Sequence, residues 1–189
     1  SNISDRTLKN QVGVNTANSA GLQDPFALQA GAFGGAIAIK AGSGLSGTTF
    51  PLGTRAFPVD NLADALSIAE VRGLVTIEVI GDFTIDAEDF SSGYTFRGDS
   101  AETTLITVDS AANVTNCTFT RCTIAGVLDG DNTFNYCTVG SVSDFEGKLV
   151  NCGICGPVVL GPGATAQFIS CYSEVAGGGP AAYPMVDLG

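Results

Sequence analysis

The second half of the chain repeats one pattern of apolar and polar positions. The unit is an apolar residue, two further residues, a cysteine, one residue and a second apolar position, and it occurs four times. Its first position is occupied by Phe119, Phe134, Leu149 and Phe168, and its cysteine position by Cys122, Cys137, Cys152 and Cys171. Successive cysteines are 15, 15 and 19 residues apart, and the longer step coincides with a Gly/Pro-rich insertion. Self-similarity at so short a period predicts a solenoid.

The composition of the units indicates β-coils rather than helices. Each unit is too short for a helical hairpin and is rich in Thr, Val, Ile and Phe. In-register stacking places equivalent positions about 4.8 Å apart, so each column becomes a ladder. Phe and Cys are three residues apart, which predicts a corner between them, at 120–121, 135–136, 150–151 and 169–170. A second column, usually just after a glycine, is predicted at Val127, Val142 and Val158.

The cysteines have three interpretations. A stacked column favours small, buried thiols, and in-register neighbours lie farther apart than the Cβ spacing of about 3.8 Å that a disulfide prefers. A disulfide remains an alternative. A zinc site would rest on Cys152-x-x-Cys155 without a second pair at finger spacing.

One amphipathic helix is predicted over residues 60–73. Asp60 or Asn61 is its candidate N-cap, and Gly73 follows its last turn. The apolar stripe consists of Leu62, Ala65, Leu66 and Ala69. A single helix before a β-solenoid is expected to plug the open end of the stack, where strand edges would otherwise be exposed.

These patterns predict an all-β fold, a short, parallel, right-handed β-helix solenoid with an N-terminal capping helix and an extended N-terminal arm. The predicted parts are the arm (1–35), a strand, an extended connection and the capping helix (36–74), the β-helix (75–176) and a C-terminal tail (177–189). The tail is a candidate for crossing to a neighbouring subunit. The arm has no helical or strand period and is expected to order against a partner. Its candidate partner-binding residues are Arg6, Lys9, Phe26, Leu28 and Phe33.

Charge and composition exclude several functions. The formal net charge of the 189 residues is −11, and residues 41–189 alone carry −12. Acidic side chains repel the phosphate backbone, so nucleic acid is not expected as a partner. The chain has no histidine, which excludes Ser-His-Asp and Cys-His catalysis and every His-containing metal site. No apolar run is long enough to span a membrane.

A stretch that covers about a quarter of the chain resembles a module of tailed-bacteriophage structural proteins. In that module an extended Gly-Thr-x-x-Pro-x-Gly-Thr segment leads to a Pro-Val-x-Asn-x-x-Asp-Ala capping helix and then to a β-helix. The matching residues are Gly47, Thr48, Pro51, Gly53, Thr54, Pro58, Val59, Asn61, Asp64 and Ala65. The resemblance implies the pectin-lyase-like β-helix class that is found in trimeric phage spikes and fibres.

Acidic turns are the candidates for chemistry, because glycan-cleaving β-helices use paired carboxylates. They are Asp129 with Asp131, Asp144 with Glu146, and Asp99 with Glu102. Solvated turns explain them most simply, while a Ca²⁺ site and catalysis are the alternatives. Only four tyrosines are available to stack on sugars: Tyr94, Tyr136, Tyr172 and Tyr183.

The sequence therefore predicts a protein that is not an enzyme and needs no cofactor. The resemblance implies a homotrimeric phage virion protein, and the small body and short arm favour a decoration protein on the capsid, assembled in the host cytoplasm. We expect the arm to fasten it to the major capsid protein or another virion protein. The alternative is a tail fibre or spike that binds or cleaves host glycans.

Overall fold

The chain winds into a parallel β-solenoid. The computed structural model describes residues 31–87, 89–173 and 186–187. Consecutive strands along the solenoid axis come from consecutive turns, about five in all. Every strand pair in the sheets is parallel, as the fold class predicted from the sequence requires.

Three sheets form the walls. The first wall stacks, in spatial order, β1 (Ile37–Ile39), β2 (Thr76–Val79), β5 (Thr95–Gly98), β8 (Thr118–Thr120), β10 (Asn132–Asn135), β12 (Gly147–Val150) and β15 (Ala166–Ile169). The second wall stacks β3 (Phe83–Ile85), β6 (Leu105–Val108), β9 (Thr123–Val127), β11 (Thr138–Phe145), β13 (Gly153–Ile154) and β16 (Tyr172–Ser173). Beside β13, β14 (Val158–Leu160) also pairs with β11, and β17 (Val186–Asp187) pairs with β14. A short third sheet pairs β4 (Phe90–Ser92) with β7 (Asn113–Thr115).

An apolar column runs through the first wall. The paired positions are Ile37, Ile77, Phe96, Phe119, Phe134, Leu149 and Phe168. From Ile77 onward the turns are therefore 19, 23, 15, 15 and 19 residues long. The ring of Phe119 lies between those of Phe96 and Phe134, with both centroid distances 5.1 Å. All members except Phe168 are fully buried, so this column is the centre of the core.

A left-handed residue makes the corner before each cysteine of the repeat. Arg121, Tyr136, Asn151 and Ser170 have φ between 52° and 57°. Such a backbone is uncommon for residues other than glycine. Here it turns the chain so that, in the first three units, the leading apolar residue and the cysteine are both buried. The second residue of each predicted corner is therefore the one that bends the chain.

The second wall corrects the predicted valine column. Val142 pairs with Val158 above it, but below it stands Gly126, and Val127 lies opposite Ser143. A bulge causes this shift. Gly126 adopts a φ of 105°, and a Cβ on it would lie 2.0 Å from the carbonyl oxygen of Val108, so only glycine fits.

The helix α1 (Leu62–Arg72) forms where the sequence predicts it. The Asn61 side chain accepts a hydrogen bond from the Asp64 amide, and Gly73 ends the helix with a φ of 65°. Its buried residues are Leu62, Ala65, Ile68 and Ala69, and it packs against β1 and β2. Its predicted role as the cap of the stack stays a prediction, as does the hand of the solenoid.

The buried side chain of Asn132 is hydrogen-bonded to backbone groups in the core. Asn132 is 1% exposed, and its side-chain oxygen accepts a hydrogen bond of 2.8 Å from the Cys117 amide. Its side-chain nitrogen donates one of 2.8 Å to the Val114 carbonyl. Both amide atoms thus satisfy backbone groups that the turn between β7 and β8 leaves unpaired, as a buried polar group must.

The end of the tail returns to its own chain. Val186 pairs with Val158, and Asp187 pairs with Val159, so β17 extends the second wall next to β14. The suggestion that the tail crosses to a neighbouring subunit is therefore wrong for these two residues. Residues 174–185 lie outside the described part of the chain.

Candidate functional site

The repeated cysteines form a column beside the apolar one, with Cys122, Cys137 and Cys152 buried and Cys171 half-buried. The Sγ atoms of Cys122 and Cys137 are 3.7 Å apart. The residues that follow the four cysteines pair in register, Thr123 with Thr138, and Gly153 with Thr138 and Tyr172. All six cysteines of the chain are free thiols, which agrees with the first of the three interpretations.

The thiols of Cys137, Cys152 and Cys171 each lie within hydrogen-bond distance of backbone carbonyls. The Cys152 thiol lies 3.3 Å from the carbonyl oxygens of both Phe134 and Val150. Cys155, the second cysteine of the possible zinc pair, lies 3.2 Å from the Val139 oxygen. Among the residues that the structure describes, no three Cys, Asp or Glu side chains are arranged to hold a metal ion.

The surroundings raise the pKa of two of these thiols, Cys137 and Cys152. The hydrogen-bonded contact with Cys122, together with burial, raises the pKa of Cys137 to about 12. The contact with Cys137, and then burial, raises the pKa of Cys152 well above its ordinary range. Since the thiolate is the reactive form, Cys137 and Cys152 contribute to packing rather than to chemistry.

Two of the acidic turns meet at one cavity. Asp129, Asp144 and Glu146 line a space of about 310 Å³ together with the loop 161–164. The sequence pattern suggested that these turns stack on successive coils, and the structure brings them together. Asp131 is exposed and is not part of the lining. Carboxylates around such a space can accept hydrogen bonds from sugar hydroxyls or attract a cation.

The third acidic candidate pair, Asp99 with Glu102, does not line this cavity. The carboxylate of Asp99 accepts a hydrogen bond of 3.0 Å from Arg55, which also binds Glu78 of the neighbouring turn. Glu102 is exposed. Because Arg55 is itself exposed, this ion-pair network joins two turns at the surface and contributes little stability.

A second acidic cavity was not foreseen from the sequence. It measures about 380 Å³ and lies beside the first residues of α1. Four aspartates line it: Asp60, which precedes α1, and Asp82, Asp86 and Asp89, which lie close together in the chain. Hydrogen bonds from Asn61 and Ser46 lower the pKa of Asp60, whereas burial raises the pKa of Asp89. The cavity therefore holds carboxyl groups of unequal acidity.

The candidate arm residues divide into two groups. Arg6, Lys9, Phe26 and Leu28 lie outside the described residues. Phe33 is only 5% exposed, with its ring against Gly53 and beneath the Arg72 guanidinium, 5.2 Å from the ring centroid. Its ring is thus buried within its own chain, which does not support Phe33 as a partner-binding residue.

The sugar-stacking candidates differ in exposure. Tyr136 is 66% exposed because it occupies a left-handed corner, and Tyr172 is 58% exposed on the last described turn. Tyr94 is half-buried against the core, and Tyr183 lies outside the described residues. Two of the four rings are therefore accessible on the described surface.

Comparisons of the chain with protein-family models, with curated proteins and with solved structures find no match. Within the described ranges, no helix has the length and apolar character needed to cross a membrane.

Proposed function

We propose that this protein is a structural component of a phage virion, a homotrimeric decoration protein on the capsid that is anchored by its N-terminal arm. The observation that carries the proposal is the solenoid itself, with a continuous buried column from Ile37 to Leu149. Ladders of this kind resist local opening, because each inner strand is hydrogen-bonded on two sides. Such rigidity suits a particle surface.

Exposed apolar side chains near the first turns support attachment through that end. Leu45 and Phe57 are 53% and 47% exposed on the segment that lies along β1, and Val71 and Val75 are 75% and 61% exposed around the end of α1. The arm enters the described structure at residue 31, near the same end. A partner that binds the arm is therefore placed to cover these side chains as well.

The charge distribution and the resemblance to phage modules point the same way. An acidic body with a net charge of −12 over residues 41–189 stays soluble on the outside of a particle. The residues that carry the resemblance lie in an extended segment and in α1. Asn61 is the N-cap of α1, Asp64 lies in its first turn, and most of the β-helix follows. That order of elements is the one that the resemblance implies.

Binding to particles tests the proposal. The full chain is mixed with emptied particles of the virus that encodes it, and bound protein is measured by sedimentation. We expect binding together with greater thermal resistance of the particles. Deletion of residues 1–30, which keeps Phe33 and the described fold, should abolish binding while the circular dichroism spectrum and the unfolding temperature remain unchanged. Equal binding by the full and shortened chains would refute the anchoring role of the arm.

A spike that recognises host glycans is the second candidate, and the cavity between the acidic turns favours it. The test is binding to host cells or to their surface polysaccharide without any particle. Asp144→Asn with Glu146→Gln should weaken that binding, whereas the exposed Asp131→Asn should not. Binding of particles but not of cells would reject this candidate.

A further inference from the structure

The two ends of the solenoid differ in their hydrogen bonding. At the first end, the outer edge of β1 is already occupied: the Ala38 amide donates to Gly53, the Lys40 amide donates to Val59, and Val59 donates back to Ala38. At the other end, β15 pairs with β12 and β16 pairs with β13. Within residues 31–87, 89–173 and 186–187, no further strand pairs with β15 or β16.

The open edge of β15 faces away from the solenoid. Gly147 and Asn151 donate hydrogen bonds to the carbonyls of Thr165 and Ile169, which therefore point toward β12. Since alternate residues of a strand direct their backbone groups to opposite edges, the amide and carbonyl of Phe168 point to the open side. An exposed edge of this kind is a template for another strand.

The same end exposes apolar side chains. Phe168 is 37% exposed, although its equivalents Phe96, Phe119 and Phe134 are fully buried. Ile169 is 41% exposed and Tyr172 is 58% exposed. The apolar column thus ends at a surface on which its last member lacks a neighbour.

The open end also lacks charge, in contrast to the rest of the chain. Residues 149–173 contain no Asp, Glu, Lys or Arg, in a protein whose net charge is −11. Of the strands at this level, β15 and β16 carry no charged residue, and β17 carries one, Asp187. Two copies can therefore meet through β15 and β16 without bringing their acidic surfaces together, and interface cores are typically depleted of charge.

We propose that two copies of this chain pair end to end through these open ends, with β15 of one copy antiparallel to β15 of the other. The edge of β1 is already hydrogen-bonded, so the β15 edge of one copy cannot pair with the β1 edge of another. The β15 edge can instead pair with β15 of a second copy, in a two-fold contact. A two-fold contact closes at two copies, which prevents the fibres that an open edge would otherwise promote. The pairing buries Phe168 against its counterpart and continues the apolar column across the contact. It is independent of the virion role.

Molar mass in solution tests the pairing. The full chain is measured by light scattering coupled to size-exclusion chromatography at micromolar concentration. We expect an even number of copies, two if the solenoids are otherwise single and six if side-by-side trimers also form. A monomer or a trimer overturns the proposal. A monomer would be expected, for example, if residues 174–185 of the same chain covered this end in place of a second copy.

Matched charge variants locate the contact. Ile169→Glu with Tyr172→Glu adds four carboxylates to a two-fold contact and should halve the mass. Val71→Glu with Val75→Glu alters exposed apolar residues near the other end and should leave the mass unchanged. An unchanged mass for the first variant, or a halved mass for the second, overturns the proposal.

Hydrogen exchange of the unaltered protein gives a readout that needs no variant. The Phe168 amide should exchange more slowly as protein concentration rises through the dissociation constant, because the paired strand accepts its hydrogen bond. Exchange at this amide that is fast at every concentration contradicts the pairing, even if the Ile169→Glu, Tyr172→Glu variant does not fold.

Discussion

Replacement of Phe119 by alanine probes the stack at its most crowded point. The ring is fully buried, and its centroid lies 5.1 Å from those of both Phe96 and Phe134. Truncation of a buried Phe to Ala costs about 3–5 kcal/mol, and two aromatic contacts place Phe119 near the upper end of that range. Since an ordinary domain is stable by about 5–15 kcal/mol, Phe119→Ala should remove a large part of the stability. Urea unfolding followed by circular dichroism measures the loss.

A matched control separates the stack from general loss of apolar surface. Phe57 is 47% exposed, and its replacement by alanine should cost about 1 kcal/mol, since its side chain is only half removed from water. Comparable losses for Phe119→Ala and Phe57→Ala, or a loss under about 2 kcal/mol for Phe119→Ala, would refute the assignment of Phe119 to the centre of the core.

Three further outcomes follow from single contacts. Asn132→Ala leaves two buried backbone groups without partners and should cost about 3 kcal/mol in urea unfolding; a loss under about 1 kcal/mol would contradict the bonding described above. The folded state holds the Cys137 proton more tightly than the unfolded state, with a pKa raised from 9.0 to about 12. The contribution of this proton to the free energy of unfolding is fully present below pH 9. Between pH 9 and 12 the free energy of unfolding should fall by about 1.4 kcal/mol per pH unit, and Cys137→Ala should reduce that slope. Gly126→Ala should cost about 3 kcal/mol or more because of its clash, whereas Gly163→Ala, also at positive φ but with nothing within 4 Å, should cost about 1 kcal/mol; equal costs would argue against the close approach of Gly126 to the Val108 carbonyl.

The sequence predicted the later turns better than the earlier ones. Two consecutive steps of 15 residues keep Phe119, Phe134 and Leu149 in phase, so the column is visible as a repeat. The turns that precede them contain 19 and 23 residues, and insertions of different length hide the equivalence of Ile77, Phe96 and Phe119. The helix was predictable because its N-cap and C-terminal glycine are local signals.

Features that depend on three-dimensional juxtaposition were not predictable. The valine column was wrong because β11 has one extra residue between Val139 and Val142, which places Val127 opposite Ser143. The spacing of residues along the sequence does not show where such a bulge occurs. The cavity beside α1 combines Asp60 with three aspartates of residues 82–89, and only the fold brings these two segments together. The lack of charge at the open end was visible as a run of 25 residues, 149–173, but its meaning depends on the position of β15 at the end of the stack.

Sulfur positions test the central claim, an in-register solenoid, most directly. A crystal of the protein, measured at a wavelength that gives anomalous scattering from sulfur, locates the cysteine Sγ atoms without reference to any traced chain. The account predicts a column in which the sulfurs of Cys122, Cys137, Cys152 and Cys171 follow one another along one axis, with Cys122 and Cys137 3.7 Å apart. Sulfurs scattered over unrelated parts of the molecule, or joined in pairs at bonding distance, would contradict it.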